Sequence, residues 1–312
     1  MLFNKKLIAS QRENSIPAIR FYFSNVSKSF FLPKLSRFIN KNLYKFFGLG
    51  SSINRYDNSI TIYSGTADRF LYKNYKKNDK FINFGSGAFF HNRWTNYDYP
   101  GQSDYYKCLQ GVVSKDFHSI DLCNKFLNIP EKDESVSLIY CAHTLEHLDN
   151  KSCDRFLVEC LRILKKEGVL RVALPNTKND FYLAKCLMSQ NNINNKLQEN
   201  YLRDAAYHIL AGTQEIDIEE LKNIFKLFDF DSELFFMHVS DRHPQYKVFD
   251  GRYPERHVNY IDFKVLMNFA SKAGFSCVIP SYQGSSVADP FKNLHVFDTT
   301  EPHLAIYADI IK

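Results

Sequence analysis

The stretch from Val136 to Pro175 does most to limit what this chain can fold into. Val136 to Ala142 is an apolar run of strand length. Asp154 to Leu164 is an amphipathic helix with Phe156, Leu157, Cys160, Leu161 and Leu164 on one side. Val169 to Leu174 is a second apolar strand, fenced by Pro175-Asn176. Lys165-Lys166-Glu167-Gly168 is expected to close the helix, with cations at its C-terminus and a glycine to turn the chain. Strand, helix and strand in that order make a right-handed parallel crossover.

Upstream, Lys80 to Phe84 is a short apolar strand running into Gly85-Ser86-Gly87. Glycines at that point let the backbone turn tightly and approach a ligand closely. Ligands in open α/β sheets sit beyond the carboxyl ends of the strands, where this turn lies. The dinucleotide fingerprint needs a third glycine, and Phe90 holds that position, so a pyrophosphate-binding dehydrogenase is disfavoured. Asp98, in Trp94-Thr95-Asn96-Tyr97-Asp98, closes a second strand and is suited to both hydroxyls of a ribose. Asp121-Leu122 precedes Ile129-Pro130, at a place where an acid can meet an adenine amino group.

The order of these signals resembles a known family. Asn83-Phe84-Gly85-Ser86-Gly87, Asp98, Asp121-Leu122, His143-Thr144-Leu145-Glu146-His147-Leu148, and Gly168 through Asn176 look like a class I S-adenosylmethionine-dependent methyltransferase. The resemblance is nearest to the methyltransferase type 11 group, and to members associated with surface-polysaccharide biosynthesis. His257 to Phe275 resembles that group's helix ending in Ala273-Gly274-Phe275, and Pro302 to Tyr307 its final strand. It implies S-adenosyl-L-methionine as cofactor. By position, Asn83, Gly85, Ser86 and Gly87 would line the methionine portion, Asp98 would hold the ribose, and Asp121 with Leu122 would flank the adenine. Residues around His143 would face cofactor and acceptor. The resemblance covers roughly 78–176 and 257–312. Its departures are the missing third glycine, Ser137 where an acid is common, and a span from Gly87 to Asp98 too short for a crossover helix of about a dozen residues.

His143-Thr144-Leu145-Glu146-His147 also spells the zinc-peptidase pattern H-x-x-E-H. That chemistry requires both histidines on one helical face. Here His143 directly follows a buried strand, so the pair straddles a strand-to-helix turn, and no metal ligand is expected. His143 is instead expected at the strand's carboxyl end, near the sulfonium, with Glu146 and His147 holding the turn. A general base helps when the methyl acceptor is a hydroxyl, and histidine is suited to this near neutral pH. His143 is the first candidate for that base. His257 and His243 come second, because an acceptor pocket would be built from the 177–256 insertion, which also carries His208 and His238.

The fold class expected is thus α/β: a Rossmann-like, doubly wound, mostly parallel seven-stranded sheet with a helical insertion and an N-terminal helical appendage. The boundaries expected are 1–75 for the appendage and 76–312 for the methyltransferase domain, with 177–256 inserted. The net charge of +6 comes from the appendage. Residues 1–60 hold Lys5, Lys6, Arg12, Arg20, Lys28, Lys34, Arg37, Lys41, Lys45 and Arg55 against only Glu13 and Asp57. The body is slightly acidic, which does not favour nucleic acid as a partner. Within the appendage, Pro33 to Phe47 places Leu35, Phe38, Ile39, Leu43, Phe46 and Phe47 on one helical face, with lysines mostly opposite. Such a helix docks on the body, or lies on an anionic membrane surface. The seven cysteines form no C-x-x-C pair, Cys108 included, and fit reduced thiols in a cytoplasmic setting. The acceptor expected is a sugar, a lipid-linked glycan or another small molecule. The rivals are an RNA or protein methyltransferase, a non-catalytic binding module of the same fold, and a metallohydrolase.

Overall fold

A computed structural model describes residues 5–8, 18–22, 31–54, 59–64, 68–87, 89, 91, 93–101, 117–190 and 195–312. Seven strands build the central sheet: β5 (Lys80–Phe84), β6 (Trp94–Asp98), β7 (Phe117–Ser119), β8 (Val136–Ala142), β9 (Leu164–Pro175), β10 (Cys277–Ser281) and β11 (Ala305–Ile311). Their order is β10-β11-β9-β8-β5-β6-β7. The pairs among β5 to β9 are parallel, and β11 runs antiparallel to both β9 and β10. The chain leaves β5 for β6 and β7 on one side, then returns to lay β8 and β9 on the other. This reversal opens a crevice beyond the carboxyl ends of β5 and β8, the usual ligand position in such sheets.

Both faces are covered at the centre of the sheet, which is why β8 and the second half of β9 read as mostly apolar runs. On one face Ile82, Phe84, Ile139, Cys141, Leu170 and Val172 pack against the helices Asn150–Ile163 and Phe263–Ala273. On the other, Phe81, Trp94, Leu138 and Tyr140 pack against Phe291 and Phe297, which belong to the connection between β10 and β11. The ring centroids of Trp94 and Phe297 are 4.9 Å apart. No helix joins β5 to β6 among the described residues. Aromatic side chains from far along the chain cover the sheet there instead.

Three boundaries differ from the sequence reading. Asn150–Ile163, capped by Asp149, ends before Lys165, because Leu164 is fully buried beside Val136 and already belongs to β9. The Lys165–Gly168 stretch lies within that strand, with Glu167 at φ 62. The helix expected from His257 starts only at Phe263, where Asp262 accepts the N–H of Val265, and it ends at Gly274 in the left-handed region. The last strand begins at Ala305, because Pro302–Leu304 form a turn closed by Leu304 N donating to Glu301 O.

Helices Thr177–Met188, Asn195–Tyr207, Ile218–Leu227 and Ser232–Arg242 follow β9. They bury their own core around Phe181, Phe225 and Phe235. The N-terminal part holds more than a helix. β1 (Lys5–Ile8), β2 (Ala18–Tyr22), β3 (Leu49–Asn54) and β4 (Ser59–Ser64) form an antiparallel sheet in the order β1-β2-β4-β3. The helical run Phe31–Phe38 continues through a π-turn, Ile39–Leu43, into Tyr44–Phe47. It docks on β3 through Asn40, which accepts from Ser51 N at 2.7 Å and donates to Ser51 O at 3.0 Å. Of the apolar face expected there, Ile39 is buried while Phe38, Phe46 and Phe47 are exposed. The side chains of Arg37, Lys41 and Lys45, and the whole of Cys108, lie outside what is described. Among the described residues, no helix is long and apolar enough to cross a membrane.

Candidate functional site

A cavity of about 680 Å³ opens beyond the carboxyl ends of β5 and β8. Of the residues expected at the site, Asn83, Gly85, Ser86, Gly87, Asp98, Asp121, Leu122, His143 and His257 line it, and His243 does not.

The turn after β5 forms one end. Gly85 and Gly87 have φ of 64° and 50°. A side chain on Gly85 would place its Cβ 1.9 Å from Thr144 Oγ1, so the two turns after β5 and β8 touch through the absence of that atom. Such a glycine brings backbone close to whatever fills the cavity. Gly87 N donates to Asp98 Oδ2 at 2.6 Å, and Tyr99 N donates to Asp98 Oδ1 at 2.7 Å. Two backbone donors thus fix this buried carboxylate in place. Beyond it, Asp121 is exposed and accepts Cys123 N at 2.9 Å, while Leu122 is buried against the sheet. A glycine turn, an acid fixed at the end of the neighbouring strand and an apolar wall from Leu122 fit the methionine, ribose and adenine parts of the cofactor that the sequence implies.

The other end is built from histidines. His143 stands at the carboxyl end of β8 with φ 50. Its Nε2 is 2.8 Å from Thr300 Oγ1, and its Nδ1 lies 3.3 Å from Glu146 Oε1. Glu146 is buried, and neither of its carboxylate oxygens accepts an aligned hydrogen bond from a described residue. Burial pushes its carboxyl up, but the contact with His143 and the nearby His147 and His257 pull it down, to about 2. The Glu146 carbonyl accepts from Val258 N at 2.9 Å and Asn259 N at 3.2 Å, which draws the segment after the insertion against this turn. That contact brings His257 beside His147, with ring centroids 4.8 Å apart. Burial, and then His147, push the His257 imidazole down to about 4.

His143 and His147 do not form the peptidase arrangement. His143 turns toward Thr300, while His147 Nδ1 sits 3.0 Å from the Arg256 carbonyl. Of the insertion's histidines, His208 reaches the cavity and pairs with Asp180 at 2.9 Å, a hydrogen bond that raises its pKa. His238 and His243 lie elsewhere. His238 packs near Phe228, and His243 ends the helix Ser232–Arg242 and stacks on Tyr246. The sequence reading passed over Asp180, Tyr207, Glu255 and Thr300, which also line the cavity. No motif marks them, and the fold brings them in from distant segments. Arg20 and Thr61 of the N-terminal sheet line it too.

Residues 104–172 match the methyltransferase domain family. No curated protein matches the chain. Among solved structures, an S-adenosylmethionine-dependent methyltransferase from Archaeoglobus fulgidus is similar at 13% identity and a TM-score of 0.39, over 79% of this chain and 92% of that one. One from Mesorhizobium loti is similar at 8% identity and a TM-score of 0.38, over 78% of this chain and 96% of that one. One from Thermotoga maritima aligns over 78% of this chain and 86% of its own, at 13% identity and a TM-score of 0.35.

Proposed function

We propose that this chain, which carries a methyltransferase domain of the class I S-adenosylmethionine-dependent type, methylates a hydroxyl oxygen of a sugar, a lipid-linked glycan or another small polar metabolite. One observation carries the reading. The same cavity joins the Gly85–Gly87 turn and the clamped Asp98 at one end to His143, with Glu146 behind it, at the other. The acceptor end is polar, with Asp180, His208, Glu255, Thr300 and Glu301 along it, which suits an acceptor rich in hydroxyls.

S-adenosylmethionine supplies a methyl carbon activated by positive sulfur. The chain's own residues align the acceptor and manage its proton. Asp98 would hold the ribose, the backbone of Gly85 to Gly87 with Asn83 would line the methionine portion, and Asp121 and Leu122 would flank the adenine. His143 would take the proton of the acceptor hydroxyl as the methyl carbon passes from sulfur to that oxygen, the S–C bond breaking to leave neutral S-adenosylhomocysteine. Glu146, 3.3 Å from His143 Nδ1, steadies the imidazolium that results. Holding the two reactants in line in a site with little water supplies most of the acceleration. The membrane contact expected of residues 33–47 is kept as part of this proposal, because Phe38, Phe46 and Phe47 are exposed.

The test is calorimetric titration of the purified chain with S-adenosylhomocysteine, followed by a screen of hydroxylated acceptors. Micromolar binding and methylation of a glycan would support the reading. Binding without turnover of any small acceptor, but with methylation of RNA, would move the acceptor to a nucleic acid. No binding at all would leave a scaffold.

A further inference from the structure

We infer that Glu146, His147 and His257 form a binding site for one divalent transition-metal cation at the acceptor end of the cavity. The sequence reading expected no metal, because it considered only the pair His143 and His147. The fold builds a different set. One potential ligand atom from each of Glu146, His147 and His257 lies within 4.8 Å of the other two. Metal bonds of about 2.1 Å put tetrahedral ligands about 3.4 Å apart, a gap that small rotations of three side chains close.

The hydrogen bonds show which nitrogens are on offer. His147 Nδ1 is 3.0 Å from the Arg256 carbonyl, and His257 Nδ1 is 2.8 Å from the His208 carbonyl. A carbonyl only accepts, so both Nδ1 atoms carry the proton. In the neutral rings each Nε2 then presents a lone pair. A backbone carbonyl behind the far nitrogen is the arrangement that fixes tautomer and ring angle in metal-ligating histidines. The third member is a buried carboxylate whose oxygens take no aligned hydrogen bond from any described residue. A buried ionised group without that satisfaction is costly, and a cation supplies the missing partner. His143 stands 3.3 Å from one of its oxygens, which leaves the other for the ion.

Two imidazole nitrogens and one carboxylate suit zinc, manganese or ferrous iron better than calcium or magnesium, which prefer all-oxygen sets. Three protein ligands leave a coordination position open to the cavity, where an acceptor oxygen can bind. That last role rests on the methyltransferase reading, whereas binding of the ion does not.

The test is calorimetric titration of the chelator-treated full chain with zinc sulfate and with manganese chloride, supported by elemental analysis of the protein as purified. One ion per chain at micromolar affinity or better is expected. Glu146→Gln, His147→Ala and His257→Ala should each weaken it on the order of a hundredfold or more. His143→Ala should keep the ion, which a site built on the H-x-x-E-H pattern would lose. Each variant is also titrated with S-adenosylhomocysteine, so that a misfolded protein is recognised by loss of both ligands. No ion bound by the wild type, or binding unchanged in His257→Ala, would overturn the site. Cofactor binding without the ion would leave the methyltransferase reading standing, and ion binding without cofactor would do the opposite.

Discussion

Gly87 and Asp98 meet through a backbone N–H and a carboxylate oxygen 2.6 Å apart. This contact ties the loop after the first strand of the parallel sheet to the end of the second. A carboxylate so held is pre-oriented at no cost when the cofactor arrives. Asp98→Ala is expected to weaken S-adenosylhomocysteine by tenfold or more in calorimetry. Asp98→Asn should lose less, since it keeps an acceptor oxygen. Equal binding by all three proteins would remove Asp98 from the site.

Gly85→Ala should be poorly tolerated for two separable reasons. Its φ of 64 disfavours any side chain, and its new Cβ would lie 1.9 Å from Thr144 Oγ1. The backbone part alone costs about 1 kcal/mol. Adding Thr144→Ala should therefore recover part of the lost stability in urea unfolding, but not all of it. Full recovery would mean that the backbone conformation carries no strain.

If His143 is the base, His143→Ala should lower kcat by about a hundredfold to ten-thousandfold while KM for S-adenosylmethionine changes little. A larger effect on that KM than on kcat would instead place His143 in cofactor binding.

Arg171 is fully buried between Asp298, at 2.6 Å, and Asp309, at 3.1 Å. It also donates to the carbonyls of Tyr282 and Ser285. Arg171→Met would leave two buried carboxylates without their cation, a loss of about 3–5 kcal/mol. Urea unfolding measures it. A shift under about 1 kcal/mol would show that water reaches the two acids.

Glu159 lies below the usual carboxylate range, because Arg162 donates to it and outweighs its partial burial, with the N–H of Ile129 adding to the effect. A carboxyl depressed in the folded state stabilises the fold fully above its unfolded value, about 4.3. That stability is lost as pH falls through the lower folded value. The wild type should thus lose urea stability on acidification below about pH 4.3, and Glu159→Gln should flatten part of the slope. Parallel slopes would remove the contribution.

The centre of the sheet was legible because β5, β8 and the second half of β9 are mostly apolar with clear stops: Gly85 after Phe84, His143 after Ala142, Asn176 after Pro175. The N-terminal sheet was not. Leu49–Asn54 mixes two serines, a glycine and an asparagine with a leucine and one isoleucine, and Ser59–Ser64 sets serines and a threonine around Ile60, Ile62 and Tyr63, so neither reads as an apolar run. The cavity residues fell into the same two classes. Gly85, Gly87 and Asp98 follow a local pattern. His257 meets His147 only because Val258 and Asn259 bond to the Glu146 carbonyl, a contact between segments that no spacing reveals.

The aromatic cover over β5, β6 and β8 sets an order of events. Phe291 and Phe297 lie about 150 or more residues after the strands they cover, and the strand that follows them, β11, pairs between β9 and β10. A ribosome will have released Trp94 and Tyr140 long before the two phenylalanines that cover them exist. Closing that distance is a slow, non-local step. The half-made chain therefore emerges with Trp94 and Tyr140 uncovered.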